Sequence, residues 1–122
     1  MILVDTTLWV EHLRHRHSGL SRALENGEVL THPFVIGEVS CGNLRNRSKI
    51  IGLLNLLPSS EIAEHDEVIR FVESRQLFGK GIGWVDAHLL AAALLSDATL
   101  WTLDKRLAKL SNQIGLASRG EG

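Results

Sequence analysis

The chain has 122 residues, which predicts a single domain spanning residues 1–122 that is long enough to bury a hydrophobic core. Apolar residues make up 44% of it and charged residues 22%, as in ordinary globular proteins, and the formal net charge is −1. This charge excludes a global basic field, so a nucleic-acid partner would have to be held by a local patch or by metal ions.

Three features of the sequence favour the cytoplasm. The single cysteine, Cys41, cannot form an internal disulfide, which suits a reducing compartment, and we expect it to be a buried structural thiol. The start Met1–Asp5 has no positive region before its apolar run, which argues against a signal peptide. The longest apolar run, Leu89–Leu95, is too short to span a bilayer. We therefore expect a cytoplasmic protein without a membrane partner.

The spacing of apolar residues predicts strands that alternate with helices. In chain order it predicts a strand at 2–4, helices at 6–16 and 21–26, a strand at 28–31, helices at 33–44, 48–57 and 63–77, a glycine-rich loop at 79–83, a helix at 84–96, a strand at 99–103, a helix at 105–110 and a strand at 114–117. This alternation predicts an α/β fold with a central parallel sheet of four to five strands and helices on both faces.

Four acids are candidates for a site at the carboxyl ends of the strands. Asp5 ends the first strand and Asp104 ends a later one, so the two carboxylates meet if those strands are neighbours. Asp86 lies in the first turn of its helix. Glu38 has apolar helical neighbours, so we expect it to point toward apolar surroundings, where metal coordination would offset the cost of burying its charge.

Each of the first three acids also has a purely structural interpretation. Asp5 and Asp104 precede predicted helices and can cap them. Asp86 can complement the helix dipole in a first turn.

Taken together, the four acids predict a particular chemistry. Clustered carboxylates repel one another unless a cation lies among them, and oxygen ligands favour Mg²⁺ or Mn²⁺ over zinc. Such a cation lowers the pKa of a bound water and can steady a phosphodiester during hydrolysis. Thr102 lies two residues before Asp104 and could orient a water there, and Thr6 is a similar candidate.

Four segments carry a resemblance to a known family. They are Ile2–Trp9 (ILVDTTLW), Val35–Val39 (VIGEV), Gly79–Leu90 (GKGIGWVDAHLL) and Leu100–Leu107 (LWTLDKRL). In these segments, which come in the family's order and extend over nearly the whole chain, the sequence resembles the VapC-type toxins of the PIN-domain ribonuclease family. The third segment is the most specific of the four.

The resemblance implies a three-layer PIN-like fold and Mg²⁺- or Mn²⁺-dependent cleavage of RNA by the toxin of a type II toxin–antitoxin system. It implies that Asp5, Glu38, Asp86 and Asp104 are the catalytic and metal-binding residues, with Thr102 beside them. It also implies a VapB-like antitoxin as partner. Apolar helices beyond what one core needs favour a homodimer.

The remaining charged groups are weaker candidates. The cations considered for phosphate contact are Arg14, Arg16, Arg45, Arg47, Lys49, Lys80, Lys105 and Arg106. Lys105 and Arg106 are favoured as RNA-binding residues because they adjoin the acids that would otherwise repel RNA. The histidines at 12, 15 and 17 are expected to lie exposed near a helix end rather than to bind zinc. The loop at 79–83 lacks the Gly-Lys-Ser/Thr ending of a phosphate-binding loop.

Other functions remain open from the residues alone. A receiver-like protein-binding module also has an acid after its first strand, but it usually shows adjacent acids before that position, where this chain has only Ile2–Val4. A non-catalytic PIN-like module that only binds an antitoxin is a third possibility, against which the intact acids argue. DNA remains open as a substrate because nothing in the sequence recognises a 2′-hydroxyl.

Overall fold

The structure is a computed structural model that describes residues 1–116. Its elements, in chain order, are β1 (Ile2–Val4), α1 (Thr6–His15), α2 (Ser18–Glu25), β2 (Val29–Leu30), α3 (Pro33–Ser40), α4 (Arg47–Leu56), α5 (His65–Ser74), α6 (Trp84–Leu95), β3 (Thr99–Trp101) and α7 (Lys105–Gln113). The predicted alternation of strands and helices is confirmed over the described residues, with shifts of one to four residues at most element ends.

The sheet is parallel, and β1 lies at its centre. The strand order is β2-β1-β3, with Ile2 opposite Val29 on one side and Thr99 on the other. All three residues of β1 are buried, which means that both faces of this strand are covered. The neighbours β2 and β3 lie on opposite sides of β1. The carboxyl end of β1 is therefore the switch point of the sheet, where α/β proteins place their sites.

Among the described residues the sheet has three strands, where four to five were predicted. A further segment touches the sheet only through an isolated parallel bridge between Thr31 and Ser59. The predicted strand at 114–117 fails because α7 continues to Gln113 and its last carbonyls are satisfied by a turn. In that turn Gly115 has φ +89° and the Leu116 N–H donates to Ser111 O at 2.9 Å. Residue 117 lies outside the described residues.

The helices cover the sheet in a defined pattern. The apolar helix α6 packs against β1 and β3, and α7 packs against β3. Residues Ala87–Ala93 of α6 are all buried, as its nearly continuous apolar sequence predicts. Helix α1 packs on α3, α3 on α4, and α5 on α6. No helix among residues 1–116 is long and apolar enough to cross a membrane.

Two local predictions are corrected by the structure. Helix α2 begins at Ser18 rather than at 21, because the His17 imidazole caps it by accepting a hydrogen bond from the Leu20 N–H at 3.0 Å. Cys41 is exposed, not buried: α3 ends one residue before it, and Cys41 lies in the turn that follows the helix. Its thiol is free.

Candidate active site at the carboxyl ends of β1 and β3

Asp5 is the most constrained acid of the four. It follows β1 directly, its backbone N–H donates to Trp101 O at the end of β3, and only 3% of it is exposed. Its Oδ1 accepts hydrogen bonds from the Thr7 hydroxyl at 2.7 Å and from the Leu8 N–H at 3.2 Å. Its Oδ2 accepts one from the Thr102 hydroxyl. Asp5 is therefore both the N-cap of α1 and a buried carboxylate with a fixed orientation.

Two threonines connect the end of β1 to the end of β3. The Thr7 and Thr102 hydroxyls lie 3.3 Å apart, and the Leu103 N–H donates to Thr7 Oγ1 at 3.0 Å. The Asp104 N–H donates to Thr102 Oγ1 at 2.9 Å. Thr102 is buried and reaches two of the candidate acids, Asp5 through its hydroxyl proton and Asp104 through its oxygen. Sequence reasoning did not single out Thr7. The available signal was a hydroxyl residue two positions after an N-cap aspartate, where it can reach back to the cap.

Asp104 and Asp86 lie at the N-termini of two helices. Asp104 is the exposed N-cap of α7, and its Oδ1 accepts from the Arg106 and Leu107 N–H groups at 2.9 and 3.2 Å. Asp86 is half-buried in the first turn of α6, and its Oδ2 accepts from the Gly83 N–H at 3.3 Å. The capping roles expected from the sequence and the possible site roles therefore fall on the same side chains.

Glu38 does not occupy the apolar environment expected of it. It is exposed near the end of α3, and its Oε1 accepts a hydrogen bond from the Thr6 hydroxyl at 2.5 Å. The expectation failed because helical spacing identifies which residues share a face but not which element covers that face. Thr6 thus contacts Glu38 and helps to hold α1 and α3 together, while its neighbour Thr7 contacts Asp5.

The pKa values show that the acids interact. Burial raises the pKa of Asp5, hydrogen bonds from Thr102, Thr7 and Leu8 oppose that rise, and the charge of Asp86 adds to it. Burial also raises the pKa of Asp86, the Gly83 N–H opposes the rise, and the charges of Asp104 and Glu38 add to it. Asp86 is thus the acid that interacts with each of the other three: its charge acts on Asp5, and the charges of Asp104 and Glu38 act on it.

The donor set suits a hard divalent cation. The groups facing this region are carboxylate and hydroxyl oxygens, which Mg²⁺ and Mn²⁺ prefer. Among residues 1–116 the one ion pair joins His15 to Glu11, so no cationic side chain within 4 Å neutralises any of the four acids. No set of three acidic, histidine or cysteine side chains in the same range is gathered tightly enough to hold a metal ion without rearrangement. The residues fit a metal by chemistry, while side-chain movement would be needed to close a ligand shell.

The two residues favoured for RNA binding lie on the first turn of α7. Lys105 is exposed. The Arg106 side chain instead crosses the glycine-rich loop and donates to Gly81 O at 3.4 Å. A Cβ on Gly81, whose φ is +81°, would come within 2.7 Å of Arg106 Nη1. Arg106 therefore packs on the loop that leads to Asp86.

The three histidines of the first helical region form local structural contacts. His12 Nδ1 accepts from the His17 N–H at 2.9 Å, His17 caps α2 with its own ring, and His15 pairs with Glu11 at 3.2 Å. Burial lowers the pKa of His12. These contacts form the junction between α1 and α2. His15 is exposed as expected, whereas His12 and His17 are half-buried.

Comparisons with known proteins agree with this architecture. A family model described as PIN domain matches residues 2–113. Ribonuclease VapC32 of Mycobacterium tuberculosis, in strains CDC 1551 / Oshkosh and ATCC 25618 / H37Rv, is 44% identical over 118 residues, which cover 96% of this chain and 95% of that protein.

Two solved structures share the fold. The crystal structure of PAE2754 from Pyrobaculum aerophilum superposes with a TM-score of 0.63 at 19% identity, covering 96% of this chain and 82% of that one. A structure of FitAB bound to an IR36 DNA fragment superposes with a TM-score of 0.62 at 17% identity, covering 97% and 93%. From the family match over most of its length and from its similarity to VapC32, the chain belongs to the PIN-domain family and is of the VapC type.

Proposed function

We propose that this protein is a divalent-metal-dependent endoribonuclease that acts as the toxin of a type II toxin–antitoxin pair. The observation that carries the proposal is the buried, hydrogen-bonded carboxylate of Asp5 between the ends of β1 and β3, with the charge of Asp86 acting on it. The similarity to a protein named Ribonuclease VapC32 supports RNA as the substrate. The lone exposed thiol of Cys41 is compatible with the expected cytoplasmic location.

We assign Asp5, Asp86, Asp104 and Glu38 as the residues that would hold Mg²⁺ or Mn²⁺. When bound, such a cation lowers the pKa of water and stabilises the negative charge that develops on a phosphodiester. The chain's own contribution is orientation. Thr7 and Thr102 fix the Asp5 carboxylate, and the backbone N–H groups at the starts of α6 and α7 orient Asp86 and Asp104. Thr6 orients Glu38.

The direct test is cleavage of a structured RNA by the purified protein in Mn²⁺, in Mg²⁺ and in excess chelator, with mapping of the cut ends. We expect cuts in single-stranded or looped regions with either metal and none with chelator. Cleavage that persists in chelator would contradict the assigned chemistry. Binding of an antitoxin without cleavage under any condition would instead support a non-catalytic PIN-like module.

The proposal includes two protein partners. The VapC type supports a VapB-like antitoxin, and an arginine of that chain would suit the uncompensated acids because its planar fork pairs bidentately with carboxylates. A homodimer is supported by large apolar side chains at the surface beside α5 and α6, among which Phe78 is 63% exposed and Ile69 48%. Light scattering of the isolated chain tests the dimer, and copurification from the native host tests the antitoxin.

A further inference from the structure

A groove with a volume of about 540 Å³ lies between α1, α3 and the segment that joins α3 to α4. This volume is within the ~300–1,000 Å³ range of small-ligand sites. Glu38 lines the groove, so the groove and the proposed active site share this residue. Its other walls include apolar side chains that are buried or half-buried, namely Val10, Leu13, Val39, Leu44 and Ile50.

Two arginines line the same groove from opposite elements. Arg14 comes from the last turn of α1 and Arg45 from the segment before α4, and both are exposed. Within residues 1–116 neither guanidinium has an ion-pair partner within 4 Å or a hydrogen bond, whereas Arg47 nearby donates to Ser40 O at 2.9 Å. His15 also lines the groove but is paired with Glu11. The groove therefore has two guanidinium groups whose donors are not used by any described residue.

This combination matches the chemistry of a nucleotide chain. Guanidinium groups pair bidentately with phosphate oxygens, and an apolar floor accommodates the face of a base. Bases inside a duplex are stacked and cannot reach such a floor, whereas single-stranded RNA can turn its bases out. A partner peptide could cover the apolar floor, but it would leave both guanidinium groups without a counter-charge unless it carried acids at matching positions. RNA carries a negatively charged phosphate at every nucleotide.

We infer that this groove is a substrate subsite that holds single-stranded RNA next to the scissile phosphate. Arg14 and Arg45 bind backbone phosphates, and the apolar floor contacts a base. This inference rests on the proposed ribonuclease function and adds the direction in which the substrate strand leaves the site, along α1 and α3 past Glu38. Arg14 and Arg45, rather than Arg106, then make the main phosphate contacts, because the Arg106 side chain is hydrogen-bonded to Gly81 O.

The test measures RNA binding separately from cleavage. The full chain carrying Asp5→Asn is titrated with a fluorescein-labelled single-stranded 12-nucleotide RNA in Mg²⁺ at several salt concentrations. In this background we expect Arg14→Gln and Arg45→Gln each to raise Kd about tenfold, as for loss of a charged hydrogen bond. Each should also reduce the slope of log Kd against log salt by about 0.7. Arg70→Gln, which removes an exposed arginine of α5 that does not line the groove and has no hydrogen bond or ion pair among residues 1–116, should change neither quantity.

The outcomes separate the subsite from the proposed function. An unchanged Kd and salt slope in both groove variants would overturn the subsite even if the wild type cuts RNA. Groove variants that bind RNA normally but no longer copurify with the antitoxin chain would assign the groove to the protein partner and overturn the inference. If the groove variants bind RNA more weakly but the wild type cuts no RNA, the subsite is supported and the ribonuclease function is overturned. If a glutamine variant does not fold, as judged by circular dichroism, Arg14→Lys and Arg45→Lys replace it; they keep the charge, so they should preserve the salt slope while weakening binding.

Discussion

Asp5 and Asp86 are both candidates for the same metal site, yet two different kinds of structure hold them. Asp5 is 3% exposed, sits at the end of the central strand, and accepts hydrogen bonds from two hydroxyls and one backbone N–H. Asp86 is half-buried on a helix that begins after a glycine-rich loop, and it accepts one long hydrogen bond from Gly83. Glu38 resembles Asp86 in this respect, with a single contact from Thr6.

The difference suggests a division of roles within the site. The Asp5 carboxylate at the strand end has a fixed position, so a cation that binds there must fit its orientation. The helix-borne carboxylates have few contacts and can shift, which agrees with the absence of a preformed ligand shell among residues 1–116. Removing or loosening the fixed acid should therefore cost more activity than altering a helix-borne acid, while the electrostatic strain should be concentrated on Asp86.

The largest effect is expected at Asp5 itself. Asp5→Asn removes a ligand charge but keeps an oxygen that can cap α1, so the fold should survive while RNA cleavage in Mn²⁺ falls about a thousandfold. Cleavage rate and the circular dichroism spectrum are measured together. The matched control is Asp66→Asn, which changes an exposed acid in the first turn of α5 and should leave cleavage unchanged.

A second acid makes this test comparative. Glu38→Gln keeps an oxygen that can accept the Thr6 hydroxyl and removes the charge of an exposed, helix-borne acid. We expect a fall in cleavage that is smaller than that of Asp5→Asn by at least about tenfold. Equal losses in the two variants would mean that the distinction between a fixed and an adaptable half of the site is wrong, and near-normal turnover of Asp5→Asn would remove Asp5 from the site.

The next effect tests the hydroxyl contacts of Asp5. Thr102→Val keeps the shape of the side chain but removes the donor to Asp5 and the acceptor of the Asp104 N–H. We expect cleavage to fall about 10- to 100-fold, as for other groups that orient a metal ligand. The control is Thr99 at the start of β3, the strand that Thr102 follows. Its hydroxyl is buried without a hydrogen-bond partner among the described residues, so Thr99→Val should keep full activity and melt at the same temperature or higher. Equal losses in both variants would assign the effect of Thr102 to packing.

The strand ends were the part of the site that the sequence could predict. Asp5 and Asp104 follow short apolar runs, and parallel neighbouring strands bring their carboxyl ends together, as the pairing of β1 with β3 shows. The position of Thr102 followed from the same strand. Glu38 and Asp86 were candidates from their helical positions, but only the resemblance grouped them with the other two acids, because helical periodicity does not determine which residues of separate helices meet.

Other features depended on tertiary contacts that no local pattern contains. Glu38 has apolar sequence neighbours but an exposed side chain, which accepts a hydrogen bond from the Thr6 hydroxyl where α1 packs on α3. The segment Ile114–Leu116 is apolar like a strand, yet the described chain turns there because Gly115 adopts a positive φ and closes α7. The sequence indicated no partner for the Arg106 side chain, but in the fold it donates a hydrogen bond to Gly81 O.

A smaller effect is expected in the loop that positions the adaptable acid. Gly81 and Gly79 both have positive φ, so an alanine at either should cost about 1–2 kcal/mol of stability. At Gly81 the new Cβ also meets Arg106 at 2.7 Å, whereas at Gly79 no atom lies within 4 Å. Gly81→Ala should therefore melt lower than Gly79→Ala and cut RNA more slowly, because the disturbance reaches Gly83 and Asp86.

A double-mutant cycle isolates the arginine contact. Adding Arg106→Ala should restore part of the stability lost in Gly81→Ala and none of that lost in Gly79→Ala, with a coupling of about 0.5–1 kcal/mol from thermal melts. Zero coupling at Gly81 would show that Arg106 moves aside without cost. In that case the arginine would be available for RNA, as the sequence alone favoured.

The smallest effect concerns the repulsion that converges on Asp86. Burial, together with the charges of Asp104 and Glu38, raises the folded-state pKa of Asp86 above 3.8. The folded protein therefore holds a proton there more tightly than the unfolded chain does. This contribution to stability is complete below pH 3.8 and is lost as pH rises through the raised pKa.

At pH 7 without metal, Asp86→Asn should relieve on the order of 0.5–1 kcal/mol of repulsion and melt about 2–5 °C higher than the wild type. The gain should shrink as pH falls toward 4, because the raised pKa makes the wild-type carboxyl take up its proton earlier than in the unfolded chain. Mn²⁺ should stabilise the variant less than the wild type because one ligand charge is missing. Asp66→Asn should show no gain, since an acid in the first turn of α5 interacts favourably with the helix dipole. Melting curves at pH 4 and pH 7, in chelator and in Mn²⁺, decide the matter: an Asp86→Asn variant that melts no higher at pH 7 and gains as much from Mn²⁺ would leave Asp86 as a helix-end acid with no part in a metal site.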